Sequence, residues 1–153
     1  MAKIADPATG EVLHRMGDVG YLDESGRLWF CGRKSHRVEI PTGTLFTDRV
    51  EPVFNEVPGV FRTALVEVKR RGVTYPVLCV ERSQSRHFPF HRVRLTGVDW
   101  PQLRGQAQAA GIAAVLEHPG FPVDVRHNSK IAREKLVVWA DKMLGPTWNG
   151  GPA

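Results

Sequence analysis

The chain has 153 residues, 42% hydrophobic and 24% charged, which suits one globular domain with a modest core and excludes a large two-domain active site. Lys and Arg outnumber Asp and Glu 21 to 16, for a formal charge of +5. The basic residues are scattered, with no aromatic-interleaved stripe, so nucleic acid is not the expected partner. With no signal-peptide pattern and no apolar run long enough to cross a membrane, the reading is a cytoplasmic protein without an integral membrane segment.

Taken in chain order, the first clear element lies in residues 16–30. Apolar residues flank Asp23-Glu24-Ser25-Gly26, the pattern of a β-hairpin whose turn uses Gly26 for a positive φ. A second strand pair is expected over 37–46, broken at Pro41-Thr42-Gly43. A helix should begin near Asp48 as N-cap, with Glu51 three residues on as in a capping box, and should end at Pro58-Gly59. Residues 63–68 and 76–80 are rich in β-formers and read as neighbouring core strands carrying Cys79; Lys69-Arg70-Arg71-Gly72 is a solvated turn between them. Cys31 and Cys79, far apart and without a CxxC pattern, read as reduced, buried thiols. Residues 82–97 are polar and without a period, a loop. Asp99 caps a helix running from Gln102 to Leu116, weakened by Gly105 and Gly111. A short strand over 121–125, a loop over 127–130 and an amphipathic helix from Ile131 to Leu144 complete the domain; Ile131, Leu136, Trp139 and Met143 form its apolar face. Beyond Gly145 the Gly/Pro-rich tail is expected to fray.

Three segments then stand in order: Gly17-Asp18-x-Gly20-x-x-Asp23-x-x-Gly26; Gly32-Arg33, Val38-Glu39, Gly43 and Glu51; and Asn128-Ser129-Lys130-Ile131-x-Arg133-x-x-Leu136. Together they resemble the adenylate-forming superfamily of acyl-CoA ligases, luciferases and peptide-synthetase adenylation domains, over residues 14–140. The resemblance implies an α+β fold: residues 1–34 are the end of the N-terminal core domain, a β-hairpin; residues 35–144 form a mobile lid with a small three-stranded sheet flanked by helices; residues 145–153 are a flexible tail.

It also implies roles. Lys130 would be the catalytic ammonium that neutralises charge building on the α-phosphate, although Ser129 stands where the family usually has Gly. Asp18 would accept hydrogen bonds from both ribose hydroxyls of ATP or AMP, a task suited to a carboxylate; spacing alone reads it as a turn residue beside Gly17. Arg33 would contact the same ribose, against the plainer reading of a surface arginine at a strand end. Ser35 falls at the hinge, where the family has Asp or Lys. Gly43 corresponds to the turn that lines the pantetheine tunnel, and is equally the glycine a tight turn requires. Glu51 reads as a helix cap and nothing more.

Phrases such as HRMGDVGYLD, GTLFTDRVEPVFN and FPVDVRHNSKIAREKLVVWA are similar to one branch, the β-lactone synthetases of bacterial olefin biosynthesis. That branch implies ATP and Mg²⁺, a 2-alkyl-3-hydroxy fatty acid activated as its acyl-adenylate, closure to a β-lactone with release of AMP and pyrophosphate, and other olefin-pathway enzymes as partners. A fatty-acyl-CoA ligase lid and a non-catalytic, partner-binding remnant are the alternatives. The Ser/Thr/Gly-rich phosphate loop and the Tyr-Gly-x-Thr-Glu segment that the family needs for ATP and Mg²⁺ do not occur. The expectation is therefore a chain that works with a core domain supplied in cis or in trans, adenylates negligibly alone, and exposes Trp29 and Phe30 to a partner or a second copy of itself.

Overall fold

The computed structural model describes residues 2–82, 97–124 and 127–151. Two antiparallel hairpins come first, β1 (Ala2–Ala5) with β2 (Val12–Arg15), and β3 (Asp18–Leu22) with β4 (Leu28–Arg33). The first was not anticipated. The second forms as expected: Gly26 takes φ +75°, and Asp23 organises the turn, accepting from the backbone N–H groups of Ser25 and Arg27 and from Trp29 Nε1. These bonds to the ionised carboxylate, led by the one from Trp29, hold Asp23 below the usual carboxylate range.

A single 3₁₀ turn, Lys34–His36, leads into the small pair β5 (Val38–Ile40) and β6 (Gly43–Leu45), then α1 (Thr47–Asn55). Asp48 is not the N-cap of α1. Phe46 occupies that position without a side-chain bond, and Asp48 sits in the first turn, where a carboxylate complements the helix dipole.

The core is built on β7 (Val60–Arg70) and β8 (Val73–Arg82), a long antiparallel hairpin, with β9 (Ala114–His118) parallel to β8. Both faces of this mixed sheet are buried, so the strands read as near-continuous apolar runs, and the period of two sorts them. Leu65, Leu78, Val80 and Val115 pack on one side with Phe54 of α1 and Leu103 of α2 (Trp100–Ala109). Ala64, Val66, Val77 and Cys79 pack on the other with Leu136 and Ala140 of α3 (Arg133–Leu144). The α+β architecture of a three-stranded sheet flanked by helices is as expected.

Several boundaries differ. Asp99 does cap α2, accepting from Gln102 N–H at 3.0 Å, but the helix ends at Ala109, not Leu116. Gly111 turns the chain at φ +74°, and Ala114 onward gains more by adding a parallel strand beside β8. The segment read as a loop over 127–130 is β11 (His127–Ile131), paired with β10 (Val123–Asp124). In α3 the buried face is Leu136 and Ala140, while Met143 is exposed. Arg70, read as part of a solvated turn, donates to the carbonyls of Asp141 and Gly145 at the C-terminal end of α3, where a cation meets the helix dipole. The segment after α3 is packed down here. Trp148 lies edge-on to Tyr75, with ring centroids 5.2 Å apart, and its Nε1 donates to the Gly151 carbonyl. The loop read over 82–97 falls on residues 83–96, outside the described ones.

Candidate functional site

The register of the β3–β4 hairpin sets Asp18 directly opposite Arg33. Their side chains form an ion pair, Nε to Oδ1 at 3.0 Å, with Asp18 34% and Arg33 50% exposed. The Arg33 Nη1 donates to the Met16 carbonyl at 2.7 Å, and the Lys34 N–H to the Gly17 carbonyl at 2.8 Å. Gly17 makes this closure possible at φ +79°. The pair is thus fixed at the open end of a hairpin, with part of both side chains still facing solvent.

Gly32, between Cys31 and Arg33, takes φ +119° and lies under the Asp48 carboxylate with no room for a Cβ. The first turn of α1 therefore rests on β4. Arg49 of the same turn places its guanidinium 5.7 Å from the Tyr21 ring centroid. Ser35 is exposed within the 3₁₀ turn between these two bodies. Gly43 opens β6 opposite Ile40 at φ +148°, with open space around it.

Lys130 belongs to β11. Its neighbour Ile131 packs into the core beside α3, and alternation along the strand sends Lys130 the other way, where it is exposed. No ion pair among the described residues holds its ammonium. The link between Lys130 and the Asp18–Arg33 pair is His36, which sequence reasoning passed over. Four elements bring charge to this half-buried imidazole: Arg133 of α3, Asp48 of α1, Arg33 of β4 and Lys130 of β11. Burial, then the Arg133 cation, hold His36 below its ordinary pKa, with Arg33 and Lys130 adding to the effect and Asp48 opposing it. Of the expected site residues, Arg33, paired with Asp18, and Lys130 both bear electrostatically on His36, and Ser35 adjoins it in sequence. No measured contact ties Gly43 to it.

The other unanticipated feature is the ion pair of Glu51 with Arg133. Arg133 was visible only as part of a motif, and Glu51 as a motif member and a cap.

No family model matches the sequence. The chain is 54% identical over 147 residues to the olefin beta-lactone synthetase of Stenotrophomonas maltophilia strain K279a, covering 92% of the chain and 25% of the relative. It is 55% identical over 134 residues to the enzyme of the same name from Xanthomonas campestris pv. campestris, covering 84% and 23%. The chain belongs to the adenylate-forming superfamily. It corresponds to the C-terminal part and spans about a quarter of the length of these curated relatives. Its fold is that of solved adenylate-forming enzymes. An amide bond synthetase from Marinactinospora thermotolerans superposes with a TM-score of 0.64 at 22% identity, over 86% of this chain and 25% of that one. O-succinylbenzoate coenzyme A synthetase from Bacillus subtilis, solved with AMP, gives 0.62 at 19%, over 84% and 24%.

Proposed function

We infer that this chain is the mobile lid of an ATP-dependent, AMP-forming ligase that activates a 2-alkyl-3-hydroxy fatty acid and closes it to a β-lactone. The observation that carries the reading is an identity of more than half to enzymes named olefin beta-lactone synthetase, supported by the exposed Asp18–Arg33 ion pair and by an exposed Lys130 in the matching motif. In this reading residues 1–34 complete a core domain, residues 35–144 form the lid and Ser35 is the hinge. Its position in a lone 3₁₀ turn between β4 and β5 supports that, because a few residues outside regular structure can absorb a domain rotation.

ATP supplies the AMP group that activates the carboxylate. The residues present fit its ribose: Asp18 keeps an exposed oxygen to accept from a diol, and Arg33 is exposed enough to donate to the same hydroxyls. Lys130 meets the charge that grows on the reacting carboxylate and α-phosphate. Among the described residues no group of three or more His, Cys, Asp or Glu is disposed to hold a metal, so Mg²⁺ travels with the nucleotide and the core domain. After activation the 3-hydroxyl oxygen attacks the carbonyl carbon, the ring C–O bond forms, AMP leaves, and the hydroxyl proton passes to solvent. The hydroxy fatty acid, the core domain and other olefin-pathway enzymes are the partners this reading carries.

The test joins this chain to the core domain of the Stenotrophomonas relative and follows pyrophosphate release and products from a synthetic hydroxy fatty acid. Lactone without coenzyme A is the expected product; a thioester formed only with coenzyme A would establish an acyl-CoA ligase instead. Lys130→Ala should lower kcat by about 10²–10³-fold, and unchanged turnover would remove Lys130 from the mechanism. The isolated chain should release no pyrophosphate.

A further inference from the structure

Glu51 and Arg133, 82 positions apart, meet as a fork: Nη1 donates to Oε1 at 2.6 Å and Nη2 to Oε2 at 2.8 Å. Both side chains are largely buried, Arg133 17% and Glu51 13% exposed. Oε1 also accepts the Leu65 N–H at 2.7 Å, and Nη1 also donates to the Leu65 carbonyl at 3.2 Å. β7 is an edge strand, so these two Leu65 groups have no neighbouring strand to pair with. The fork replaces that strand at one point.

Helix geometry explains how α1 reaches the edge. Glu51 and Asn55 are one turn apart, about 6 Å along the helix. Leu65 and Thr63, whose N–H groups they accept, are two residues apart, about 6.6 Å along the strand. The two spacings match, and α1 lies along β7. Arg133 then ties α3 to both. Its planar guanidinium serves two carboxylate oxygens and a carbonyl at once, which a compact ammonium cannot.

Arg133 is the first residue of α3, three positions after Lys130. Between them Ile131 is committed to the core, and the Ala132 N–H is bonded to the Pro122 carbonyl at 2.8 Å. Where Arg133 is held determines where β11 ends and how far Lys130 projects. We propose that the Glu51–Arg133 fork is a positioning clamp that sets the reach of Lys130 without touching substrate. The proposal rests on the role of Lys130 inferred above.

The test uses the joined enzyme. Arg133→Lys keeps the charge and loses the fork, and Glu51→Gln is a second variant should the first fail to fold. The folded variant should lose about tenfold to a hundredfold in kcat for pyrophosphate release, with KM for ATP within about threefold of the original. Amide hydrogen exchange should accelerate at residues 130–133 while β7 and β8 keep their protection. Adding Arg133→Lys to Lys130→Ala should cost little further activity, because the two act through one group. Unchanged kcat in a folded variant overturns the clamp. So does exchange that accelerates equally across β7 and β8, which would make the pair a brace of the whole fold. So does full additivity with Lys130→Ala. If Lys130→Ala itself retains activity, the reading of Lys130 fails; if Lys130→Ala is inactive and Arg133→Lys is not, the clamp alone fails.

Discussion

At Gly32 a single hydrogen in place of a side chain decides two contacts. The residue sits at φ +119°, and the Asp48 carboxylate occupies the space a Cβ would need. Gly32→Ala must therefore strain the backbone and turn the Asp48 carboxylate aside. The expected loss is about 2 kcal/mol or more of unfolding free energy, read from urea denaturation, and the neighbouring Arg33–Asp18 pair should be displaced with it. A wild-type midpoint would show that position 32 does not need a positive φ or the space beside the Asp48 carboxylate. Cys79 illustrates the opposite kind of residue, one whose chemistry is suppressed. Burial pushes its thiol up to about 12, which makes it packing material and not a nucleophile.

At the scale of elements, β9 and α3 meet through His118. Its ring lies 4.4 Å from that of Trp139 and 5.6 Å from that of Phe121, centroid to centroid, and its Nδ1 accepts the Gly120 N–H at 3.0 Å. Burial lowers the His118 pKa below its ordinary 6.5, against a smaller upward pull from Glu81. His36 is shifted the same way. A depressed histidine is protonated first in the unfolded chain. Its contribution to stability is complete above about pH 6.5 and is lost as pH falls through the lower folded value. The urea midpoint should thus drop between about pH 7.5 and pH 5.5. His118→Asn, which keeps an acceptor for Gly120, should flatten that dependence and leave the share of His36; an unaltered slope would contradict it. The elements also show what was legible in the sequence. Gly26, the β-forming runs over 63–68 and 76–80 and the Asp99 cap were readable because each depends on neighbours within a few residues. Lys130, Asp18 and Arg33 were readable as a set by resemblance. β9, β11 and the docking of α1 were not, because a strand with no strong pattern of its own forms where a partner edge is available.

For the whole molecule, the feature with the largest consequence is the apolar surface of the β3–β4 hairpin. Leu28 is 73%, Leu22 67% and Phe30 57% exposed, and Tyr21 stacks on Trp29 across the strands with both still exposed. By the alternation of the strands Leu22, Leu28 and Phe30 share one face of the hairpin, and exposed apolar surface of this kind is an association site. The chain alone should self-associate with rising concentration in sedimentation experiments, and Leu28→Lys with Phe30→Lys should shift it to monomer while the sheet remains folded. A wild-type chain monomeric at high concentration would rule this out. Added core domain should compete with the self-association, since in the proposed enzyme it covers the same surface.

Local chemistry by itself determined the hairpin turn, the β-forming runs of the sheet and the start of α2. Only the tertiary structure decided that Glu51 holds Arg133 and is no cap, that Arg33, Lys130 and Arg133 all bear on His36, and that Lys130 lies in a strand and not a loop. The physical reason is separation along the chain. A turn or a cap is complete within a few residues, whereas the partner of Glu51 is 82 positions away and comes within reach only after α1 and α3 have packed on β7.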